Sequence, residues 1–263
     1  MRRASLRPTN DLRTGTPWAC AGCGRFTTRP DVARRAFTLV ELMVVLAIVV
    51  ILTSMLMPGL RSVREAANRL ACANNMRQIG YAITSYANDN GDFLPASVFS
   101  IPDNPMPQEL MALTSGGTDS HFDGIGRLLP HAGCYLDSPG CMYCPSHHGE
   151  HSLERYESTL EAPFLTPDRA YANYHYRGDT DTETSLRYRL DNSHNFVMLS
   201  DGLRTRSDFN HGDGLNLLYG DLAVSFYFDS DKSIYETLPE DPLTVPQTAF
   251  FNLLWKTLVT PND

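Results

Sequence analysis

The chain has 263 residues, 42% of them hydrophobic and 20% charged, with six Cys and a formal net charge of −8. This composition excludes collagen-like, low-complexity and polytopic membrane classes, and the length allows a domain with a sizeable core. The acidic balance argues against a nucleic-acid binder, which would show a basic face.

The charge is unevenly placed. Residues 1–36 carry eight Arg against Asp11 and Asp31, a net +6, while the other 227 residues carry 14 basic and 28 acidic side chains, a net −14. Within the basic head, Cys20-Ala-Gly-Cys23 is half a zinc knuckle with no second half. From Phe37 to Met57 the chain reads FTLVELMVVLAIVVILTSMLM, and Glu41 is its only charge. A helix of that length covers about 30 Å, the thickness of a bilayer core. By the positive-inside rule the Arg-rich head, 1–36, is a cytoplasmic leader and the acidic body is exported. A cleaved secretory signal would have an apolar region of about 7–15 residues followed by a small-residue site. Here the small residue, Ala36, comes before the apolar run, so any cut leaves the helix on the mature chain.

Arg34-Arg35-Ala36-Phe37-Thr38-Leu39-Val40-Glu41, followed by that run, resembles the prepilin cleavage and methylation signal of type IV pilins and type II secretion pseudopilins. The resemblance implies cleavage by prepilin peptidase between Ala36 and Phe37, N-methylation of Phe37, and Glu41 as the fifth mature residue. It also implies assembly with other pilin-like subunits through the N-terminal helix, on an inner-membrane platform. The family usually has Gly where this chain has Ala36.

A carboxylate inside a span is costly without a partner. Two readings of Glu41 stand: it reaches the headgroups from near the span edge, or it pairs with a positive charge at its own depth. On the resemblance, that charge is the α-amine of Phe37 on a neighbouring subunit.

Beyond Pro58-Gly59, apolar residues recur at Leu60, Val63, Ala67, Leu70, Ala73, Met76, Ile79, Ile83 and Tyr86, one stripe of a continuing helix. The spacing predicts a long helix over 37–87, with the membrane segment at 37–57 and the stripe packed on a globular body at 88–263. Pro58-Gly59 should bend or locally melt it, and Asn88-Asp-Asn-Gly91 should stop it. Residues 88–133, rich in Pro and Gly, read as loops with short helical pieces. Strands are expected at 171–176 and 195–200. A hairpin is expected with arms 214–219 and 222–228, and Gly220 first in a type II′ turn. Residues 245–259 read as a C-terminal helix on the body. The fold class is α+β: a long N-terminal helix on a small antiparallel sheet, as the pilin resemblance also implies.

Three phrases narrow the resemblance to pseudopilin-like proteins with a C-terminal His-x9-Asp-Gly signature: Cys72-Ala-Asn-Asn-Met-Arg-Gln-Ile-Gly80, Cys144-Pro-Ser146 and His211 through Phe226. His211 and Asp221 fit the spacing, but Leu222 stands where that signature has Gly. Two uses of this pair are open. Asp221 hydrogen-bonds its own turn while His211 orients the hairpin, or Asp201, Asp208, Asp213 and Asp221 gather round calcium. Major pseudopilins hold calcium near their C-terminal loops, although no EF-hand spacing is present here.

Cys72, Cys134, Cys141 and Cys144 fall in the exported part, where disulfides persist. A disulfide from Cys134 to Cys141 or Cys144 is one reading. The other is zinc, since Cys141, Cys144, His147 and His151 offer four ligands within eleven residues. No catalytic motif occurs, so no catalytic residue is assigned and the chain is not read as an enzyme. The expected function is a structural subunit of a type IV pilus-like fibre or type II secretion pseudopilus. The alternative is a membrane-anchored exported metal-binding protein or hydrolase.

Overall fold

A computed structural model describes residues 37–101, 105–181, 184–190, 196–241 and 247–259, with the backbone alone at 58, 247–249 and 259. The leader 1–36, with Cys20, Cys23 and Ala36, lies outside the described residues. The chain divides into two compact units, 1–51 and 52–263. Helix α1, Leu39–Asp89, runs through the division.

In the first unit α1 is apolar all round. The window Leu39–Met57 has a mean hydropathy of 2.8 and none of it is buried within the chain. Of the two effects expected at Pro58-Gly59, melting does not occur, and α1 is helical throughout. A proline forfeits its own N–H bond, and the turns on either side can stay closed. The end of α1 falls near the expected stop. Asn90 N and Asp92 N both donate to Ala87 O, at 3.0 and 2.8 Å, as the chain turns through left-handed Gly91 and Asp92.

In the second unit a four-stranded antiparallel sheet has β1 Tyr174–Tyr176, β2 Val197–Asp201, β3 Gly214–Tyr219 and β4 Val224–Phe228 in the order β1-β2-β3-β4. Its register sets Tyr174 opposite Asp201, Leu199 opposite Leu218 and Leu215 opposite Tyr227, with an irregularity between Val197 and Leu199. Strand alternation gives the sheet two buried faces. One carries Tyr174, Tyr176 and Leu218 and shares a core with Cys72, Met76, Ile79, Ala82 and Ile83 of α1. The other carries Val197, Leu215 and Leu217 beneath α3 (Ser233–Thr237) and α4 (Gln247–Val259). Met76, Ile79 and Ile83 are fully buried, and each such side chain contributes roughly 1.5–3 kcal/mol. The architecture is therefore α+β, a long N-terminal helix and a small antiparallel sheet.

The predicted stripe on α1 divides. Ala73, Met76, Ile79 and Ile83 are buried, whereas Leu60, Val63 and Leu70 are 65–69% exposed and do not pack on the body. The described residues between 90 and 133 do form loops with short 3-10 turns, at Val98–Ser100, Pro107–Glu109 and Gly124–Leu128. Helix α2, Leu153–Glu161, was not foreseen; Ser152 caps it by accepting from Arg155 N at 3.4 Å.

The β3–β4 turn also differs from expectation. Leu222 N donates to Tyr219 O and Tyr219 N to Ala223 O, each at 2.9 Å, and the left-handed residue is Leu222 (φ +68°) rather than Gly220. A leucine there carries strain on the order of 1–2 kcal/mol, and its place is where the His-x9-Asp-Gly signature has Gly. What Leu222 contributes in return is packing. A Cβ at Gly80 of α1 would meet Leu222 Cδ2 at 3.0 Å and Leu218 Cδ2 at 3.1 Å, so the helix passes close over the hairpin.

Two outcomes follow from this packing. Leu222→Ala keeps the strain and loses the contact, whereas Leu222→Gly loses the contact and releases the strain. The Gly variant should therefore be the more stable of the two by about 1 kcal/mol, reversing the usual order. Chemical denaturation of both checks this, and an Ala variant at least as stable would contradict it.

His175 on β1 gives the second. Its ring is fully buried, 4.8 Å from Phe251 and 5.8 Å from Trp255 of α4, and neither nitrogen makes a well-formed hydrogen bond among the described residues. Burial holds its pKa down at about 3. The unfolded chain thus binds a proton near pH 6.5 that the folded chain refuses, and stability falls as pH drops from 6.5 towards 3, by on the order of 1 kcal/mol per pH unit. His175→Phe should flatten that slope; equal slopes for variant and parent in denaturation between pH 5 and 7 would contradict it.

Candidate functional site

Two constellations stand out, one in each unit. The first opens α1. Thr38 N and Thr38 Oγ1 both donate to Glu41 Oε2, at 2.9 and 2.8 Å, and Glu41 N donates back to Thr38 Oγ1 at 3.2 Å. This is a reciprocal capping box, which satisfies helix N-terminal donors otherwise left bare in an apolar setting. Neither sequence reading of Glu41 included it, although a Thr three residues before a Glu ahead of an apolar run is its signature. A carboxylate holding two donors on one oxygen can still take a cation on the other. Phe37, one residue ahead of the cap, is exposed.

The second constellation lies where α1 meets the sheet. Cys72 comes from α1, Cys144 from the Cys-Pro-Ser loop, Asp201 from the end of β2 and His211 from the approach to β3. Their ligand atoms all fall within 4.8 Å of one another, and all four residues are buried. Cys72 Sγ donates to Asp201 Oδ1 at 3.0 Å, and Cys144 Sγ lies 3.7 Å from His211 Nε2. His211 Nε2 is also 3.7 Å from Asp201 Oδ2 and 3.3 Å from Asn216 Nδ2.

Three of the four are held from behind. His211 Nδ1 donates to Glu65 Oε1 at 2.6 Å, and Ser146 Oγ donates to Glu65 Oε2 at 2.8 Å. Asp201 Oδ2 accepts Asn216 N at 2.5 Å, and Cys144 N donates to Asn173 Oδ1 at 3.0 Å. Arg69, 3.7 Å from Glu65, also pairs with Asp213 and covers the Phe226 ring at 4.5 Å.

The cluster is electrostatically polarised. The Cys72 thiol beside it brings Cys144 down to about 7 against the penalty of burial, with His211 helping. Burial, in contrast, pushes Cys72 well up. Burial also opposes a charged His211, but Cys144, Asp201 and Glu65 outweigh it and hold the imidazole up at about 9. The chemistry on offer is two sulfurs, one carboxylate oxygen and one imidazole nitrogen converging on one point. Cys144 is 6% exposed and His211 fully buried, so the pair presents no open face to a substrate.

The structure distributes the sequence candidates differently from the groupings expected. Among the described residues, this cluster is the one group of three or more potential metal-binding side chains. Of the carboxylates considered for calcium, Asp201 is in it, and the four are not brought together. Asp208 accepts from Thr205 Oγ1 at 2.7 Å and lies 3.6 Å from His151, Asp213 pairs with Arg69, and exposed Asp221 accepts from Ala223 N at 2.9 Å within its own turn.

Of the residues considered for zinc, Cys144 alone joins the cluster. His147 Nδ1 bonds Asn210 Oδ1 at 2.8 Å, His151 Nδ1 bonds the Tyr156 hydroxyl at 2.6 Å, and Cys141 Sγ faces Ser138 O at 3.3 Å. Cys134, Cys141 and Cys144 are free thiols rather than a disulfide; Cys134 Sγ donates to Pro130 O at 2.7 Å. Glu65, Cys72 and Asn216 carry no local spacing that announces them. The one sequence signal for the cluster is that Cys72, Cys144 and His211 head the three family-like phrases.

Comparison with known proteins agrees with the first constellation. Residues 32–57 match the family described as a prokaryotic N-terminal methylation motif, and residues 61–110 match one described as a protein of unknown function (DUF1559). No curated protein and no solved structure matches the chain. A prepilin-type motif leading into an apolar helix fits a type IV pilin-like protein.

The capping box makes a local prediction. Thr38→Val should raise amide hydrogen exchange several-fold in the first turn of α1, in line with a cap worth about 1 kcal/mol, and leave residues 46–51 unchanged. Unaltered first-turn exchange in detergent would contradict a stabilising cap.

Proposed function

We propose that the chain is a structural subunit of a type IV pilus-like fibre or type II secretion pseudopilus, cut by prepilin peptidase between Ala36 and Phe37 and N-methylated at Phe37. The observation that carries this reading is the methylation motif over residues 32–57, set on a helix whose apolar window the chain leaves wholly uncovered. A mere anchor needs neither the Phe-Thr-Leu-Val-Glu sequence nor a small residue before it. Two further observations support assembly. Exposed Leu60, Val63 and Leu70 continue an apolar stripe beyond the span, which a second copy of the helix would cover. Glu41, with one oxygen committed to Thr38, retains an oxygen for the α-amine of a neighbouring Phe37.

The charge asymmetry supports a single inner-membrane pass, with the net +6 leader in the cytoplasm and the acidic body on the periplasmic or extracellular side. Partners on this reading are prepilin peptidase, other pilin-like subunits and an inner-membrane assembly platform. The role is structural and not enzymatic.

The test is Glu41→Val. Removing the carboxylate lowers the cost of insertion by about 2 kcal/mol or more, so failed insertion cannot explain a defect. The variant should insert and be processed, yet yield no fibres and no subunit cross-links along the helix. Normal assembly of the variant would contradict the pairing.

A further inference from the structure

We propose that Cys72, Cys144, Asp201 and His211 bind a single zinc ion that ties helix α1 to the sheet. This site is independent of the reading of the N-terminal motif, and it is not the Cys141/Cys144/His147/His151 grouping that local spacing suggests. The donor set is one zinc favours: two thiolates, an imidazole and a carboxylate, with four protein ligands as in closed structural sites.

The geometry agrees. Tetrahedral zinc, with bonds of about 2.3 Å to sulfur and about 2.0–2.1 Å to nitrogen or oxygen, sets its ligand atoms roughly 3.4–3.8 Å apart. In the structure Cys144 Sγ and His211 Nε2 are 3.7 Å apart, and so are His211 Nε2 and Asp201 Oδ2. Cys72 Sγ meets the other carboxylate oxygen, Asp201 Oδ1, at 3.0 Å, a hydrogen bond that the metal would replace.

The surroundings are those of a prepared metal site. A metal-bound histidine almost always donates its other N–H to a carboxylate or carbonyl, which fixes the ring and its tautomer. His211 does this to Glu65 at 2.6 Å, turning Nε2 towards the two sulfurs and Asp201. Glu65 is anchored in turn by Ser146, two residues after Cys144, so one positioning residue on α1 serves two ligand segments. A disulfide between Cys72 and Cys144 would account for the sulfurs but would take the Cys72 donor away from the fully buried Asp201. The ion would join four segments far apart in sequence, and its binding free energy would add to that of folding.

The test uses the full-length chain, purified in detergent without a metal-binding tag, with Cys20→Ser and Cys23→Ser so that the leader pair takes no part. Metal analysis should find one zinc per chain. Replacement by Co2+ should give the visible bands of a tetrahedral site together with a thiolate-to-cobalt charge-transfer band. Glu65→Gln, which leaves all four ligands in place, should weaken zinc binding about 10–100-fold. Cys144→Ser and His211→Ala should weaken it further, whereas Cys141→Ser and His147→Ala should leave it unchanged. A cobalt spectrum without thiolate charge transfer would overturn the proposal even if the variants fold poorly. So would zinc retained by Cys72→Ser/Cys144→Ser, or a Cys72–Cys144 disulfide found by alkylation and mass spectrometry of the isolated chain.

Discussion

An apolar surface must be covered, and helix α1 begins with one that no other described residue of the chain covers. Among the described residues nothing buries an aliphatic side chain of 39–57, and Glu41 is their only charge. In water such a surface would drive aggregation; in a bilayer it is at home, and against other copies of itself it is a packing surface. The single carboxylate is tolerated because Thr38 supplies two donors to one of its oxygens. The same bonds close the first helical turn inside the stretch that the methylation motif matches.

The later part of α1 meets the opposite condition. From Cys72 onward the inward face is buried against the sheet, and the two join through polar groups as well as apolar ones. Asp201 is the hub of that junction: fully buried at the end of β2, it takes donors from Cys72 on the helix and from Asn216 on β3. A buried carboxylate without such partners would cost several kcal/mol. Close approach of helix and hairpin also explains Leu222. Its left-handed backbone is strained, and its side chain fills the space above Gly80.

Much of this was legible in the residues because it is local. The span announces itself by length and apolarity, the end of α1 by Asn88 through Gly91, the loops by their prolines and glycines, and the β3–β4 hairpin by two apolar arms around a turn. The misreadings also have physical causes. Pro58 invites local melting as one of its two expected effects, but one missing hydrogen bond does not unwind a helix closed on both sides. Gly220 looks like the turn's special residue, yet the geometry puts the left-handed position two residues later. Leu60, Val63 and Leu70 belong to the same stripe as Met76 and Ile79, and periodicity alone does not show where the body stops covering it. The cluster of Cys72, Cys144, Asp201 and His211 was hidden for a different reason. Its members come from a helix, a loop and two strand ends, so no window of sequence contains their spacing. The nearby Cys141–His151 run offered a local substitute that the fold does not assemble.

The central claim is that the apolar helix begins, in the mature protein, at a processed and methylated end. Intact-mass and N-terminal peptide analysis of the protein isolated from membranes tests it most directly. The account predicts a chain beginning at N-methyl-Phe37, with the whole apolar helix retained. A mature protein that begins at Met1, or beyond Met57, would contradict it.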